Sequence, residues 1–231
     1  MFTTVDKDRF LGQVPLFASI EVAVRKDLAG HAQLVERKRR QTIIRQGAPA
    51  DAIYVVVRGH VKISVQSRDG SAASLTVLGP GDLFGELGVL GAVTRSAELL
   101  ALEDATLVRI PGAVFLKALS ASAALGLALS KLLGQRLRSL GEHVSHVTAL
   151  QAPARFAQQL LWLLDRFGST HPGGVLLAPP LNQSDLAELT HLSRQRANLI
   201  LRDLRERRIV DWDGRRLLVR DMPALRALAQ G

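Results

Sequence analysis

Gly81-Asp82-Leu83-Phe84-Gly85-Glu86-Leu87-Gly88, followed by Thr94-Arg95-Ser96-Ala97, is the stretch that decides the fold of this 231-residue chain. A glycine-rich corner opening into a short helix presents outward-pointing amides, and an arginine returning beside it completes a cradle for one phosphate. Glu86 has the wrong charge for a phosphate. It suits a ribose hydroxyl next to one, because a carboxylate only accepts hydrogen bonds. Taken alone, the same glycines would serve equally well as the corner of a β-barrel.

Outward from this stretch, residues 42–110 are rich in β-branched side chains and punctuated by turn residues. Ile53–Val57, Val61–Val65, Leu75–Leu78 and Thr106–Ile110 are strand candidates, and Arg58-Gly59, Asp69-Gly70 and Gly79-Pro80-Gly81-Asp82 supply turn chemistry. Short strands at this spacing indicate a small barrel or sandwich. Val22–Leu34 reads as a helix covering one end. From about Ala113 to Leu150 the period becomes helical, and Leu133, Leu137, Leu140, Val144, Val147 and Gln151 follow a two-helix seam. The same pattern would also fit a helix packed on its own domain. Pro153 stops or restarts that helix. The expected division is 1–112, 113–150 and 151–231.

Downstream, Phe156, Leu160, Leu163, Leu164 and Phe167 mark an amphipathic helix, ended by Gly168 and Pro172, and two short helices and a hairpin are expected after it. Asn182 is placed to cap the first, with Asp185 at its third position. After the turn Thr190-His191-Leu192, Ser193 caps a second helix running to about Arg207. His191 occupies the turn position that needs left-handed backbone. This is helix-turn-helix spacing. Arg194, Gln195, Arg196, Asn198 and Arg202 lie on the second helix, where Arg forks onto guanine and Gln or Asn onto adenine. Arg202, Arg205, Arg207 and Arg208 go to phosphates or to surface salt bridges. Asp213-Gly214 turns a hairpin wing with Arg215 and Arg216 at its tip.

Composition narrows the partners. The formal charge is +9, of which residues 152–231 carry 12 − 8 = +4, with arginine but no lysine. That balance favours an anionic partner, either nucleic acid or an anionic membrane surface. Zero cysteines exclude disulfides, thiolate zinc sites, cysteine-ligated iron–sulfur clusters and a cysteine nucleophile. The N-terminus has no apolar signal region, and the apolar run from Ala118 to Leu133 is broken by Ser120, Ser122, Ser130 and Lys131. A soluble cytoplasmic protein with no membrane partner is expected. His143 and His146 stand one turn apart on an isolated helix face and are not read as a metal site. No Ser/His/Asp set, metal-ligand spacing or paired acids speak for an enzyme.

Together these stretches make the chain resemble the Crp–Fnr family of bacterial transcription regulators over nearly its whole length. The carriers are Gly59, the cassette Gly85-Glu86-Leu87 with Arg95-Ser96-Ala97, the long helix, and the helix-turn-helix 181–207 with Ser193-Arg194. The fold implied is α+β: an N-terminal β-roll (jelly-roll) cyclic-nucleotide-binding domain, a long dimerisation helix and a C-terminal winged helix-turn-helix. In nucleotide-responsive members, the resemblance implies that Gly85 and Glu86 hold the sugar and that Arg95 and Ser96 bind the cyclic phosphate. It places Leu87 in the cassette, Thr76 and Leu78 beside the base, and Arg136 against the glutamate and ligand.

Two departures stand out. Where cAMP-binding members carry a Thr-Ser pair for the adenine, this sequence has Leu140-Gly141. The family's Ser-Arg-Glu-Thr-Val-x-Arg reads here Ser193-Arg194-Gln195-Arg196-Ala197-Asn198-Leu199, so one guanine contact is shared and the rest of the half-site differs. The resemblance implies a homodimer on a near-palindromic double-stranded operator, controlled allosterically by a cyclic nucleotide (cAMP or cGMP) and partnered by RNA polymerase. The family also has iron–sulfur and haem-binding branches, but with no cysteine and no tight histidine cluster in this sequence no metal, haem or iron–sulfur cluster is expected. The alternative is a regulator of the same fold that needs no ligand or answers another effector, such as a cyclic dinucleotide.

Overall fold

A computed structural model describes residues 3–66, 72–91, 94–149 and 151–230, with only the backbone of 72 and of 142–149. The expected turn at Asp69-Gly70 lies outside them. The described residues fall into two compact units, one centred on 3–66 and 77–140, the other on 141–230 with 72–76.

Strand β3 (Ala52–Arg58) explains why the first unit is layered as it is. Its run Ile53-Tyr54-Val55-Val56 is apolar at consecutive positions because both faces are covered. Successive strand side chains point to opposite faces. Ile53 and Val55 enter one cluster with Leu11, Phe17, Leu28, Phe115 and Leu125, which come from helices and the loops beside them. Ala52, Tyr54 and Val56 enter another with Val61, Leu78 and Leu99 from the facing sheet. Strand β8 (Ala105–Pro111) does the same, sending Leu107 one way and Val108 and Ile110 the other. The result is sheet on sheet with helices over one outer face.

The covered sheet has the order β1-β8-β3-β6, where β1 is Gln33–Arg37 and β6 Leu83–Phe84. The facing sheet has the order β2-β7-β4-β5, with β2 Thr42–Ile44, β4 Val61–Gln66, β5 Ala72–Leu78 and β7 Glu98–Ala101. Between β3 and β4, Gly59 sits at φ +83°, and a Cβ there would lie 2.7 Å from the Asp104 carbonyl oxygen. Only glycine fits that corner.

Two expectations need correction. The helix read as Val22–Leu34 ends at His31 (α2, Val22–His31), because Gln33–Arg37 is drawn into antiparallel pairing with β8. The helical region after 112 is two elements, α4 (Gly112–Ala121) and α5 (Ala123–Ala149), bent by 113° at Ser122. The Ser122 hydroxyl fixes the corner: it donates to Glu21 Oε2 at 2.5 Å and accepts from the Leu125 amide at 3.2 Å. A helix not foreseen, α1 (Thr4–Gln13), opens on a capping box between Thr3 and Asp6. No single helix among the described residues is long and apolar enough to cross a membrane.

In the second unit, α6 (Ala152–Phe167) buries Phe156, Ala157, Leu160, Leu163 and Leu164, the stripe of a helix with one covered face. Gly168 caps it as expected. A hairpin not foreseen, β9 (Gly168–His171) and β10 (Gly174–Leu177), joins β11 (Val210–Asp213) and β12 (Arg216–Val219) in a sheet of order β11-β12-β10-β9. Between the hairpins run α7 (Gln183–Leu189) and α8 (Arg194–Glu206), and α9 (Met222–Ala229) closes the unit against α6.

Phe115 is fully buried between α4 and the covered sheet. Phe115→Ala should therefore lower unfolding free energy by about 3–5 kcal/mol in urea denaturation. A decrease below about 1 kcal/mol would mean that α4 is not part of this core.

Candidate functional site

The corner foreseen at Gly81–Gly88 is built around a buried charge. Glu86 opens α3 (Glu86–Gly91) and is 1% exposed. Arg136 of α5 donates from Nη1 to Glu86 Oε1 at 2.5 Å and from Nη2 to the Leu83 carbonyl oxygen. Glu86 Oε2 is buried and has no hydrogen-bond partner among the described residues. A carboxylate oxygen left so costs free energy, and buried polar atoms are almost always paired. This oxygen is an acceptor to which no described residue donates.

Gly85 stands beside it at φ +85°, and a Cβ there would meet Arg95 Nη1 at 2.7 Å and the Ala52 carbonyl oxygen at 3.2 Å. The glycine lets the arginine pass close to the backbone. Arg95 is 5% exposed. Its Nη1 donates to the Gly85 carbonyl at 2.9 Å, and its Nη2 to the Ala52 carbonyl at 2.7 Å and to Asp51 Oδ1 at 3.3 Å. The guanidinium also lies over the Tyr54 ring, 5.8 Å from its centre, and Tyr54 stacks on Phe84 at 5.2 Å.

The cradle drawn from the sequence thus holds its arginine already engaged by the protein. Asp51, which sequence reading missed, adds a carboxylate to the two carbonyls that hold it, and Arg109 Nη2 donates to its second oxygen at 2.6 Å. Burial opposes ionisation of Asp51, yet the hydrogen bond and charge of Arg109, with Arg95 behind, hold its carboxyl below the ordinary range. Asp51 carried no motif; only the return of β8 alongside β3 brings Arg109 to it.

The other expected ligand residues are distributed unevenly. Leu78 is buried and Thr76 half-buried; Ser96, Leu87, Leu140 and Gly141 are exposed. On α5, Leu133 packs partly on its own unit's core, whereas Leu137 is 71% and Leu140 51% exposed. The side chains of Val144 and Val147, and of His143 and His146, lie outside the described residues. No cluster of three or more metal-ligating side chains occurs among the described residues.

In the second unit the helix-turn-helix closes as its residues dictate. Asn182 accepts from the Asp185 amide at 2.8 Å and Asp185 accepts from the Asn182 amide at 3.0 Å, a reciprocal cap. His191 turns the chain at φ +52°, and Ser193 caps α8 by accepting from the Arg196 amide. Ala197, Ile200 and Leu204 face inward, which leaves Arg194, Gln195, Arg196, Asn198, Leu199 and Arg202 exposed along one side. Arg194 forks onto the Ser184 hydroxyl from Nε, at 2.8 Å, and from Nη2, so α7 orients it. Arg215 and Arg216 sit exposed at the tip of the β11–β12 hairpin. The farther arginines divide: Arg202 pairs with Glu206 at 3.8 Å, Arg205 with Asp211 at 4.0 Å and Arg207 with Asp203 at 3.4 Å.

Known families match these units in the same order along the chain. Residues 34–122 match the cyclic nucleotide-binding domain, and residues 154–228 the Crp-like helix-turn-helix domain. The chain belongs to the Crp–Fnr family. Over 218 residues this Crp–Fnr regulator is 28% identical to the CRP-like cAMP-activated global transcriptional regulator of Mycobacterium tuberculosis, covering 94% of this chain and 97% of that one. Against the cAMP-activated global transcriptional regulator CRP of Pasteurella multocida it is 27% identical over 191 residues, 82% of this chain and 90% of the other. FixK2 from Bradyrhizobium japonicum shares the fold at a TM-score of 0.74 and 23% identity, covering 85% and 96% of the two chains. The relatives from Mycobacterium tuberculosis and Pasteurella multocida are transcriptional regulators, not enzymes.

Arg136→Ala should strip Glu86 of its cation and cost about 1.5–3 kcal/mol of stability by chemical denaturation at neutral pH. An unchanged midpoint would show that the pair contributes nothing. Asp51 makes a separate prediction. Because its folded pKa lies below the unfolded 3.8, its contribution is present above that value and lost as pH falls through the folded pKa. The stability gap between the wild type and Asp51→Asn should therefore narrow as pH falls below about 4, and a gap that stays constant through the acid range would contradict the ion pair.

Proposed function

We propose that this Crp–Fnr regulator is a homodimeric, sequence-specific DNA-binding protein of the cytoplasm, switched by a cyclic nucleotide in its N-terminal unit. The observation that carries the effector is the unpartnered, buried Glu86 Oε2 beside Gly85 and Arg95. A ribose 2′-hydroxyl supplies the donor this oxygen lacks. The adjoining cyclic phosphate takes Arg95 in exchange for Asp51, with Ser96 donating alongside. Two curated relatives are cAMP-activated, which favours a purine nucleoside 3′,5′-cyclic phosphate.

Arg136 joins this pocket to α5, since it already holds Glu86. A ligand that changes the charge and hydrogen bonding of Glu86 biases the position of α5, whose exposed Leu137 and Leu140, with Leu133, Val144 and Val147, form the seam with a second copy. The hinge near Gln151–Pro153 passes the bias to the recognition helices, a coupling of about 1–3 kcal/mol in such systems. Two winged helices then enter successive major grooves about 34–36 Å apart on a near-palindromic operator. Asn182, Ser193, Arg194, Gln195, Arg196, Asn198, Leu199 and Arg202 face the DNA, Arg215 and Arg216 reach it from the wing, and the complex engages RNA polymerase.

Leu140-Gly141 favours a second reading. With no hydroxyl at either position, adenine and guanine are poorly told apart, which leaves room for cGMP, a cyclic dinucleotide or an effector-independent regulator.

The test is thermal unfolding with cAMP, cGMP and cyclic di-GMP, each on the wild type, Glu86→Gln and Arg95→Ala. A cyclic mononucleotide at 100 times its Kd should stabilise the wild type by about 2.7 kcal/mol and leave both variants unshifted. Equal stabilisation of wild type and variants would move the ligand elsewhere. A response to the dinucleotide alone would select the second reading.

A further inference from the structure

We infer that Arg208 is a phosphate-contacting residue of the DNA interface, held over the groove between α8 and the wing at the expense of backbone strain. This inference rests on the DNA-binding reading above and adds to it a phosphate anchor that the recognition helix does not supply.

Helix α8 ends in a complete Schellman arrangement. With Arg207 as C-cap, the Arg208 amide donates to the Arg205 carbonyl at 2.9 Å and the Ile209 amide to the Leu204 carbonyl at 2.8 Å. The residue in the middle of that motif must take left-handed backbone, and glycine is its usual occupant. Here it is an arginine at φ +57°. Stability alone does not explain the choice. A cation does gain from the helix C-terminus, but Arg205 already stands in the last turn and Arg207 at the cap.

The side chain has no internal task either. Arg202, Arg205 and Arg207 each meet a carboxylate, and Arg220 forks onto Asp211, from Nη2 at 2.9 Å and from Nε at 3.3 Å. Arg208 makes no side-chain hydrogen bond or ion pair among the described residues. It is exposed and lines an open groove of about 1040 Å³. Arg202, Arg205, Arg220 and Trp212 line the same groove, with only Glu206 and Asp211 opposing the four arginines.

Gln195, Asn198 and Leu199 of the recognition helix form part of the same lining. A duplex whose bases meet that helix therefore presents its sugar–phosphate strand along this groove. A strained residue with an unpaired cation in a cationic groove continuous with the base-reading face fits a backbone phosphate, which guanidinium binds by a bidentate fork.

Phosphate binding is independent of sequence, so no operator is needed for the test. Fluorescence anisotropy with a labelled 30-base-pair random-sequence duplex, titrated between 50 and 200 mM KCl, compares the wild type with Arg208→Gly, Arg208→Asn and Arg208→Lys. Gly and Asn tolerate the left-handed position and remove the charge. Both should bind more weakly, with the plot of log K against log salt shallower by about 0.9 for each phosphate no longer neutralised. The affinity ratio between the two salt limits then shrinks about 3.5-fold for each such phosphate. Arg208→Lys should keep most of the slope, and Arg208→Gly should melt at a higher temperature than the wild type. Wild-type affinity and slope in the Gly and Asn variants would overturn the assignment while leaving DNA binding intact. Failure of the wild-type protein to bind the duplex would overturn both.

Discussion

A single buried carboxylate organises the N-terminal unit. Glu86 sits almost wholly out of water, and desolvating a charge in that way is tolerated only where a counter-charge and hydrogen bonds replace the lost hydration. Arg136 provides both for one oxygen, and in doing so ties the glycine-rich corner to the helix that leaves the unit. The second oxygen has no such provision. In the mode of action proposed above, a ligand that donates to this oxygen acts on α5 through Arg136. Gly85 and Arg95 follow from the same corner. The positive φ of the glycine lets the guanidinium run against backbone carbonyls, and Asp51 fills the space in front of it.

The two units handle arginine in opposite ways. In the N-terminal unit, Arg95 and Arg136 are drawn inward and satisfied by carbonyls and carboxylates, so their charge is reserved for one small site. Along α8 and the wing the arginines stay exposed, and several are steered by neighbours rather than buried: Arg194 by Ser184, Arg220 by Asp211. The formal charge of +9 is thus distributed in two ways, part of it folded into the N-terminal corner and part left exposed on the C-terminal unit.

Much of this was legible in the sequence where local chemistry is decisive. The Asn182–Asp185 cap, the Ser193 cap, the left-handed His191 and the Asp213-Gly214 hairpin each depend on residues within a few positions of one another, and each is formed. The central strands were readable because burial on both faces leaves an unbroken apolar run. What escaped depends on partners far along the chain. Gln33–Arg37 has no strong strand pattern and becomes one only through pairing with β8. The break at Ser122 needs Glu21, 101 positions away. Asp51 acquires meaning only when the folding of β3 against β8 sets Arg109 beside it and the corner delivers Arg95. Edge strand β2 and the β9–β10 hairpin are short and half-exposed, so periodicity gave them no signature.

The ligand control proposed for this regulator depends on Glu86 Oε2 being the seat of a ligand hydroxyl. The most direct measurement is isothermal titration calorimetry of the wild-type protein with cAMP and with its 2′-deoxy analogue, which differ in that one donor alone. Removing a hydrogen bond to a buried charged acceptor predicts binding of the deoxy compound weaker by about ten- to a hundredfold. Equal affinities for the two nucleotides would contradict the account, because the buried oxygen would then be unpartnered with the ligand present as well as absent.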